Sequence, residues 1–173
     1  MNRRKFLIGS SALGLGAIGG GVYWPNRWQY IFIHHSAGNN GNIEFIQKVH
    51  RERNKSDPID AIPYHFIIGN GNGMEEGEVG SDWRWKYNIW GAHLSKNNSL
   101  KNFLGIGICL IGNFEKTTVP EKQYASLVQL TNVLMKKYRI SKANVLGHGY
   151  TKGERTKCPG KYFPMERFLN DIG

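Results

Sequence analysis

Apolar residues recur along the chain with two different spacings from residue 28 onward. Aromatic and β-branched runs at 28–33 (WQYIFI) and 63–68 (PYHFII) predict strands, and the glycines and asparagines of 69–73 predict a hairpin turn. Residues 105–114 (GIGICLIGNF) are almost all apolar or glycine, which predicts a strand buried on both faces. A last short strand is predicted over Val145–Gly147.

Two further segments have helical periodicity. Residues 43–53 place three apolar residues and His50 on one face, and Asn42 precedes them as a suitable N-cap. A longer helix follows residues 118–121 (TVPE), which have the form of a capping box with proline in the first turn, and its apolar stripe runs to Tyr138. Because strands and helices alternate, we expect one α/β domain with a sheet covered by helices.

The first 27 residues have a different composition. Arg3, Arg4 and Lys5 are followed by a stretch without charge from Phe6 to Trp24, which is typical of export signals. The paired arginines resemble a twin-arginine signal, and the high glycine content argues against an ordinary membrane span. We predict that residues 1–27 form a twin-arginine-type export signal or, if uncleaved, an N-terminal anchor. The expected location is the periplasm or cell envelope, with membrane contact only through this segment.

The chain is strongly basic, with 23 lysines and arginines against 13 acidic residues and a net charge of +10. Such a charge favours an anionic partner, which could be a nucleic acid, a membrane surface or an acidic cell-wall polymer. The sequence has no nucleic-acid-binding motif and no basic helix interleaved with aromatic residues, so we expect no nucleic-acid partner. Two cysteines allow at most one disulfide. We expect the domain to be a monomer.

Three residues have the chemistry of a metal site. His34 ends the first predicted strand, His148 follows the last, and Cys158 lies in a polar loop that suggests an exposed ligand or nucleophile. Two imidazoles and a thiolate suit zinc and leave one position for water, although the spacing alone leaves other roles open. His35 should point to the opposite face of its strand and is a poor ligand. Cys109 lies in an apolar run and is expected to be buried.

Five strings occur in order along the chain: IFIHHSAG, IPYHFIIGNG, WGAHL, GIGICLIGNF and LGHGYTKGERTKCPG. Together they resemble the N-acetylmuramoyl-L-alanine amidase family, which includes phage lysozyme-type amidases and animal peptidoglycan recognition proteins. The resemblance covers residues 28–170 and implies a single domain, over 28–173, with a central mixed β-sheet flanked by helices.

The resemblance also implies residue roles. His34, His148 and Cys158 match the family's zinc ligands, and Tyr64 matches its catalytic tyrosine. Thr156 matches a position that is lysine or threonine in catalytic members. The implied reaction is hydrolysis of the amide between N-acetylmuramic acid and L-alanine by a zinc-activated water, with peptidoglycan or a muropeptide as substrate.

The substrate contacts are less well defined. We predict them at His93, Trp90 and His35, with core packing as the alternative for the tryptophan. The chain also departs from the family pattern at two places. The segment after His148 is GYTKGER, where relatives often have Arg-Asp-Val, and Cys109 stands where some relatives have an acidic residue. The shape of that loop and the presence of a carboxylate base therefore stay open.

Two other functions are compatible with the same residues. A peptidoglycan recognition domain could bind muropeptide without cutting it, although members that only bind tend to lack the cysteine found here at Cys158. Alternatively, Cys158 could be a nucleophile with His148 as its base. Zinc content and the effect of a chelator would separate these functions from a zinc amidase.

Overall fold

A five-stranded mixed sheet forms the centre of the structure, a computed structural model that describes residues 27–173. The strand order is β3-β2-β4-β1-β5. All neighbours are parallel except β2 and β3. The mixed α/β class predicted from the sequence is therefore confirmed. The strands are β1 (Tyr30–His35), β2 (Phe66–Ile68), β3 (Val79–Ser81), β4 (Gly105–Leu110) and β5 (Val145–Gly147).

The helices lie in the segments between and after these strands. The predicted helix over 43–53 is present with the predicted bounds. Three short 3-10 turns accompany the helices, at Lys96–Asn98, Lys142–Asn144 and His148–Tyr150. The α-helices are α1 (Ile43–Arg53), α2 (Trp83–Lys86), α3 (Ser99–Leu104), α4 (Glu121–Tyr138) and α5 (Met165–Asp171).

Helix capping agrees with the sequence at α1 and differs at α4. The Asn42 side chain accepts a hydrogen bond from the Phe45 N–H at 2.9 Å, as its predicted N-cap role requires. The capping box predicted at Thr118 is wrong. Pro120 has an extended ψ of 141° and directly precedes the helix, so the first helical residue is Glu121 and Thr118 lies outside the capping position.

The strand bounds differ from the predicted ones because local composition does not show where pairing stops. The segment predicted from residue 63 pairs only from Phe66, since Pro63 has no N–H to give to the ladder. Strands β2 and β3 pair in antiparallel fashion, so the predicted hairpin is confirmed, and residues 69–78 connect its two strands. Gly71 and Gly73 have φ of +92° and +91° inside this longer connection, which glycine adopts without strain.

The two faces of the sheet are covered unequally. Ile31, Ile33 and Ile108 point to a large apolar cluster that includes Leu127 of α4 and Phe168 of α5. A smaller cluster on the other face contains side chains from β2, β4, α1 and the segments beside them: Ile46, Ile62, Ile67, Met74, Cys109 and Ile111. Cys109 is fully buried there, as predicted. The second face is therefore the more thinly covered of the two.

A buried ionic network holds the segment that leads into residue 64. Arg84 is fully buried and pairs with Asp57, which also contacts His50 Nε2 at 2.7 Å. The same guanidinium donates to the Ile62 carbonyl at 2.8 Å and to the Trp90 carbonyl at 2.6 Å. A buried charge needs this degree of pairing, and the pairing ties the approach to the sheet to α1.

Within residues 27–173, none of the helices has the length and apolar character needed to cross a membrane. The predicted export signal or anchor lies almost entirely outside the described residues.

His65 should stay neutral far below the ordinary histidine range. Its Nε2–H donates to the Ile89 carbonyl at 2.9 Å and its Nδ1 accepts from the Gly107 N–H at 3.0 Å, so the neutral ring has both partners. Burial lowers its pKa to about 3, and the hydrogen bond to Ile89 only partly opposes this. The unfolded chain binds a proton near pH 6.5, so acid favours unfolding. This residue should reduce the free energy of unfolding by about 1.4 kcal/mol per pH unit below pH 6.5.

NMR titration of the His65 ring protons tests this expectation. Their chemical shifts should be constant between pH 7 and pH 4.5 in the folded protein. A midpoint above pH 5 would contradict the buried neutral ring.

Candidate metal centre

Strand register brings two of the predicted ligands together. β1 and β5 are parallel neighbours, with Ile33 opposite Gly147. The next residues are His34 and His148, so the two histidines lie side by side at the same end of the sheet. Their ring centroids lie 4.6 Å apart. His34 is buried, and side-chain alternation places it on the thinly covered face, opposite to the apolar cluster that receives Ile33.

The loop after β5 returns the third predicted ligand to this end of the sheet. The Gly149 N–H donates to the Cys158 carbonyl at 2.6 Å, and the backbone N–H of His35 donates to the Cys158 Sγ at 3.3 Å. A Cβ on Gly149 would lie 2.4 Å from the Thr156 carbonyl oxygen, so only glycine permits this close approach. Cys158 is 8% exposed, and the predicted solvent exposure of this residue was therefore wrong. The loop folds back onto β1 and covers the sulfur.

The three donor atoms fit a single metal ion. His34 Nδ1 lies 3.8 Å from Cys158 Sγ, and the ligand atoms of His34, His148 and Cys158 are all within 4.8 Å of one another. Ordinary zinc bonds in a tetrahedral site separate nitrogen from sulfur by about 3.6 Å. The spacing and the two-imidazole, one-thiol donor set are therefore those of a site for a zinc-like ion with one position left over.

Burial sets the protonation of the ligands. It lowers the pKa of His34 well below its ordinary value, with the neighbouring His93 and His148 adding to the shift. It also lowers the pKa of His148, against the opposing effect of Glu154. Both imidazoles are neutral at neutral pH, as metal binding requires. Burial raises the pKa of Cys158 to about 12, partly opposed by the His35 N–H. Without a metal ion this thiol is protonated, which disfavours a thiolate nucleophile.

His93 lies behind His34. Its Nδ1 is 3.1 Å from His34 Nε2, and it is only 6% exposed. The ring packs so closely on the backbone of Gly107 and Gly91 that a Cβ at either glycine would clash with it. With Nδ1 of His34 free for a metal, its Nε2–H donates to His93, an arrangement that orients a ligand ring. No pattern in the sequence indicated this contact. The substrate contact predicted for His93 stays a prediction.

Glu154 is a second supporting residue that the sequence analysis missed. Its Oε2 lies 3.0 Å from His148 Nε2, and its Oε1 accepts from Ser95 Oγ at 2.8 Å and from Asn98 Nδ2 at 2.7 Å. Burial alone would raise the pKa of Glu154, but these hydrogen bonds together lower it by a larger amount. The pKa of Glu154 is therefore below its ordinary value. The carboxylate is ionised at neutral pH. It lies in the GYTKGER segment, where the chain departs from the family pattern.

The predicted catalytic tyrosine lies beside this centre. The ring centroid of Tyr64 is 5.0 Å from that of His34. Burial raises the pKa of Tyr64 well above its ordinary value, and the nearby thiols of Cys109 and Cys158 add to the effect. The hydroxyl therefore keeps its proton and can act as a hydrogen-bond donor.

Thr156 lies on the open side of the centre. It is exposed, and its Oγ1 accepts from the Cys158 N–H at 3.2 Å. A groove of about 960 Å³ opens here beside His148. The groove is lined by Ser95, Asn97, His148, Gly153, Glu154, Arg155 and Thr156.

The other two predicted substrate contacts lie away from the ligand atoms. Trp90 is 43% exposed and borders a different cavity, of about 310 Å³, together with Asn54 and Lys96. The His35 ring lies on the opposite face of β1 from His34, as predicted, and its Nδ1 accepts from the Phe114 N–H at 3.1 Å. The substrate contacts of both residues stay predictions.

Most of the sequence matches a known family of amidases. The family model described as N-acetylmuramoyl-L-alanine amidase matches residues 24–161. The chain therefore belongs to the N-acetylmuramoyl-L-alanine amidase family, and the resemblance noted from the five ordered strings is confirmed.

Individual relatives agree with this assignment. The chain is 27% identical over 156 residues to peptidoglycan-recognition protein SC1a of Drosophila melanogaster, which covers 83% of this chain and 76% of that protein. It is 42% identical over 72 residues to a 1,6-anhydro-N-acetylmuramyl-L-alanine amidase of Haemophilus influenzae, or 41% of this chain and 39% of that enzyme. The solved N-acetylmuramoyl-L-alanine amidase LysC from Clostridium intestinale has a TM-score of 0.68 and 27% identity, covering 86% of this chain and 89% of that one.

The two cysteines provide a direct test of the metal centre. The purified protein should bind a single zinc ion. Cys158→Ala should weaken binding by more than the roughly 10–100-fold typical for loss of a supporting contact, because a ligand itself is removed. Cys109→Ala, in the buried cluster, should retain zinc at the cost of some stability. Metal content and chelator competition measure both. Equal zinc affinity in the two variants would contradict the assigned ligand set.

Proposed function

We propose that this protein hydrolyses the amide bond between N-acetylmuramic acid and L-alanine in peptidoglycan, with zinc held by His34, His148 and Cys158. The observation that carries the proposal is the convergence of these three donor atoms at one end of the sheet, within 4.8 Å of one another, in a chain of the amidase family. A bound zinc ion would act as a Lewis acid. It would polarise the amide carbonyl and make water nucleophilic at neutral pH.

Tyr64 is the proposed donor to the oxygen on which negative charge develops. Its raised pKa keeps the hydroxyl protonated, and its ring lies next to His34. A donor of this kind contributes about 3–4 kcal/mol to stabilisation of the transition state. Thr156 on the open side of the centre is proposed as a second donor. Tyr64, Lys157 and a water molecule are the candidates for protonating the leaving amine.

The proposed substrate is peptidoglycan or a soluble muropeptide. The groove beside His148 is open to solvent, and Arg155 on its rim adds positive charge to a basic domain. An acidic wall polymer suits that charge. Action on the wall polymer would require a location outside the cytoplasm or in the cell envelope. We propose that residues 1–27 direct it there and that the domain acts as a monomer.

A recognition module that binds muropeptide without cutting it is the alternative function. The complete set of two histidines and a cysteine argues against it, because three protein ligands with one open position are typical of catalytic zinc sites. Cleavage of a defined substrate distinguishes the two functions.

Metal removal tests the proposed reaction. The protein should release free peptide from a defined muropeptide, identified by mass spectrometry. A chelator should abolish release, and added zinc should restore it. Activity that survives complete removal of metal would reject the zinc mechanism and favour a thiol enzyme. Binding of the muropeptide without release of peptide, in zinc-loaded protein, would favour the recognition module.

Tyr64→Phe tests the proposed oxyanion donor. The substitution removes only the hydroxyl, so zinc affinity should be unchanged while kcat falls by about 10²–10³-fold. Tyr162→Phe is the matched control, because Tyr162 is 47% exposed and contacts none of the proposed ligands through its hydroxyl. Steady-state kinetics on the same muropeptide measures the effect. Undiminished kcat in Tyr64→Phe would refute the role of this hydroxyl.

A further inference from the structure

Glu154 has an unusual combination of burial and contacts for a loop carboxylate. Its side chain is only 4% exposed, although it lies between exposed residues on a loop. Gly153, with φ of +94°, makes the turn that sends the following side chain back toward His148. A conformation of this kind is natural for glycine and strained for other residues. The loop is therefore built to bury this carboxylate.

The two carboxylate oxygens have different side-chain partners. Oε1 accepts from Ser95 Oγ at 2.8 Å, from the Ser95 N–H at 3.1 Å and from Asn98 Nδ2 at 2.7 Å. Asn98 Nδ2 also lies 3.2 Å from the Lys152 carbonyl, so it holds the loop backbone as well. Oε2 lies 3.0 Å from His148 Nε2 and accepts a second, longer hydrogen bond from the Ser95 N–H at 3.3 Å. The first oxygen is held in place by three donors, and that arrangement directs the second at the imidazole.

This contact determines which nitrogen of His148 can bind a metal. An ionised carboxylate has no proton to donate, so Nε2 must carry the proton in the His148–Glu154 bond. The other nitrogen, Nδ1, then has the free lone pair. A neutral imidazole without such a partner can exchange its tautomers and turn its ring, and both changes remove the lone pair from the metal position.

We propose that Glu154 is a positioning residue of the metal centre, which holds His148 in the Nε2–H tautomer with Nδ1 directed toward His34 and Cys158. The inference rests on the proposed zinc binding. It assigns a function to the segment in which the chain departs from the family pattern. Glu154 lies six residues after His148 and four before Cys158. One short segment therefore contains two of the proposed ligands and the residue that orients the first of them.

The two histidine ligands are consequently supported by different chemistry. His34 donates to a neutral ring, that of His93, whereas His148 donates to an anion. A charged acceptor makes a stronger hydrogen bond and makes the ligand nitrogen more basic. His148 should therefore depend on its supporting residue more than His34 does.

Glu154→Gln tests the proposal, because glutamine keeps the size of the side chain and removes the charge. The dissociation constant for zinc, measured by chelator competition, should rise by about 10–100-fold. Glu115→Gln is the matched control. Glu115 also ties a loop, by accepting from the Lys161 N–H at 2.7 Å, but it contacts none of the three proposed ligands. Its zinc affinity should be that of the parent protein. Equal losses in the two variants would show a general effect of loop order and would overturn the proposal.

Long-range ¹H–¹⁵N NMR of the unsubstituted, zinc-loaded protein gives a second measurement that does not depend on a variant folding. It should show His148 protonated at Nε2, with a downfield proton, and metal-bound through Nδ1. Binding through Nε2 would overturn the proposal. If the unsubstituted protein binds no zinc at all, the proposed function fails. Zinc binding that is unaffected in Glu154→Gln refutes the positioning role alone.

Discussion

The site depends on the parallel register of β1 against β5. Pairing of Ile33 with Gly147 makes the residues that follow, His34 and His148, lie side by side at the same end of the sheet. Two imidazoles that are far apart in the chain are thus brought together by backbone hydrogen bonds. The central strand β4 is buried along its whole length and pairs with β1 over six residues, which keeps β1 in position. Rigid strand ends are a precise platform for metal ligands because packing and ladder hydrogen bonds restrict their motion.

Burial gives this platform its chemistry. In the partly enclosed space at this end of the sheet, the imidazoles of His34 and His148 are neutral and the Cys158 thiol is protonated in the absence of a metal. The three proposed ligands therefore carry no net charge, and a divalent cation would displace the thiol proton on binding. The same burial keeps the Tyr64 hydroxyl protonated. One physical cause thus prepares both the ligands and the proposed hydrogen-bond donor.

The sequence was informative where structure is local. Helix α1, its Asn42 cap and the fully buried β4 follow from spacing and composition within a few residues. The ordered strings around His34, Tyr64, His148 and Cys158 led to the correct family, whereas the functional roles of those four residues are proposals. The features that the sequence did not predict depend on contacts between residues far apart in the chain. Burial of Cys158 arises because its loop returns to β1, and the contact of His93 with His34 joins residues 59 positions apart in the chain. Thr118 was misjudged because Pro120 holds an extended conformation that starts the helix later.

The loop after β5 shows why a departure from the family pattern is compatible with an intact ligand set. Much of what returns Cys158 to this end of the sheet involves the main chain: the Gly149 N–H bonds to the Cys158 carbonyl, and the His35 N–H bonds to its sulfur. Main-chain contacts place few demands on side-chain identity, so the residues between the two ligands can change as long as Gly149 allows the close approach. A side chain within the changed segment, Glu154, then becomes available to orient His148. Variation in this loop can therefore alter the support of a ligand without moving the ligand itself.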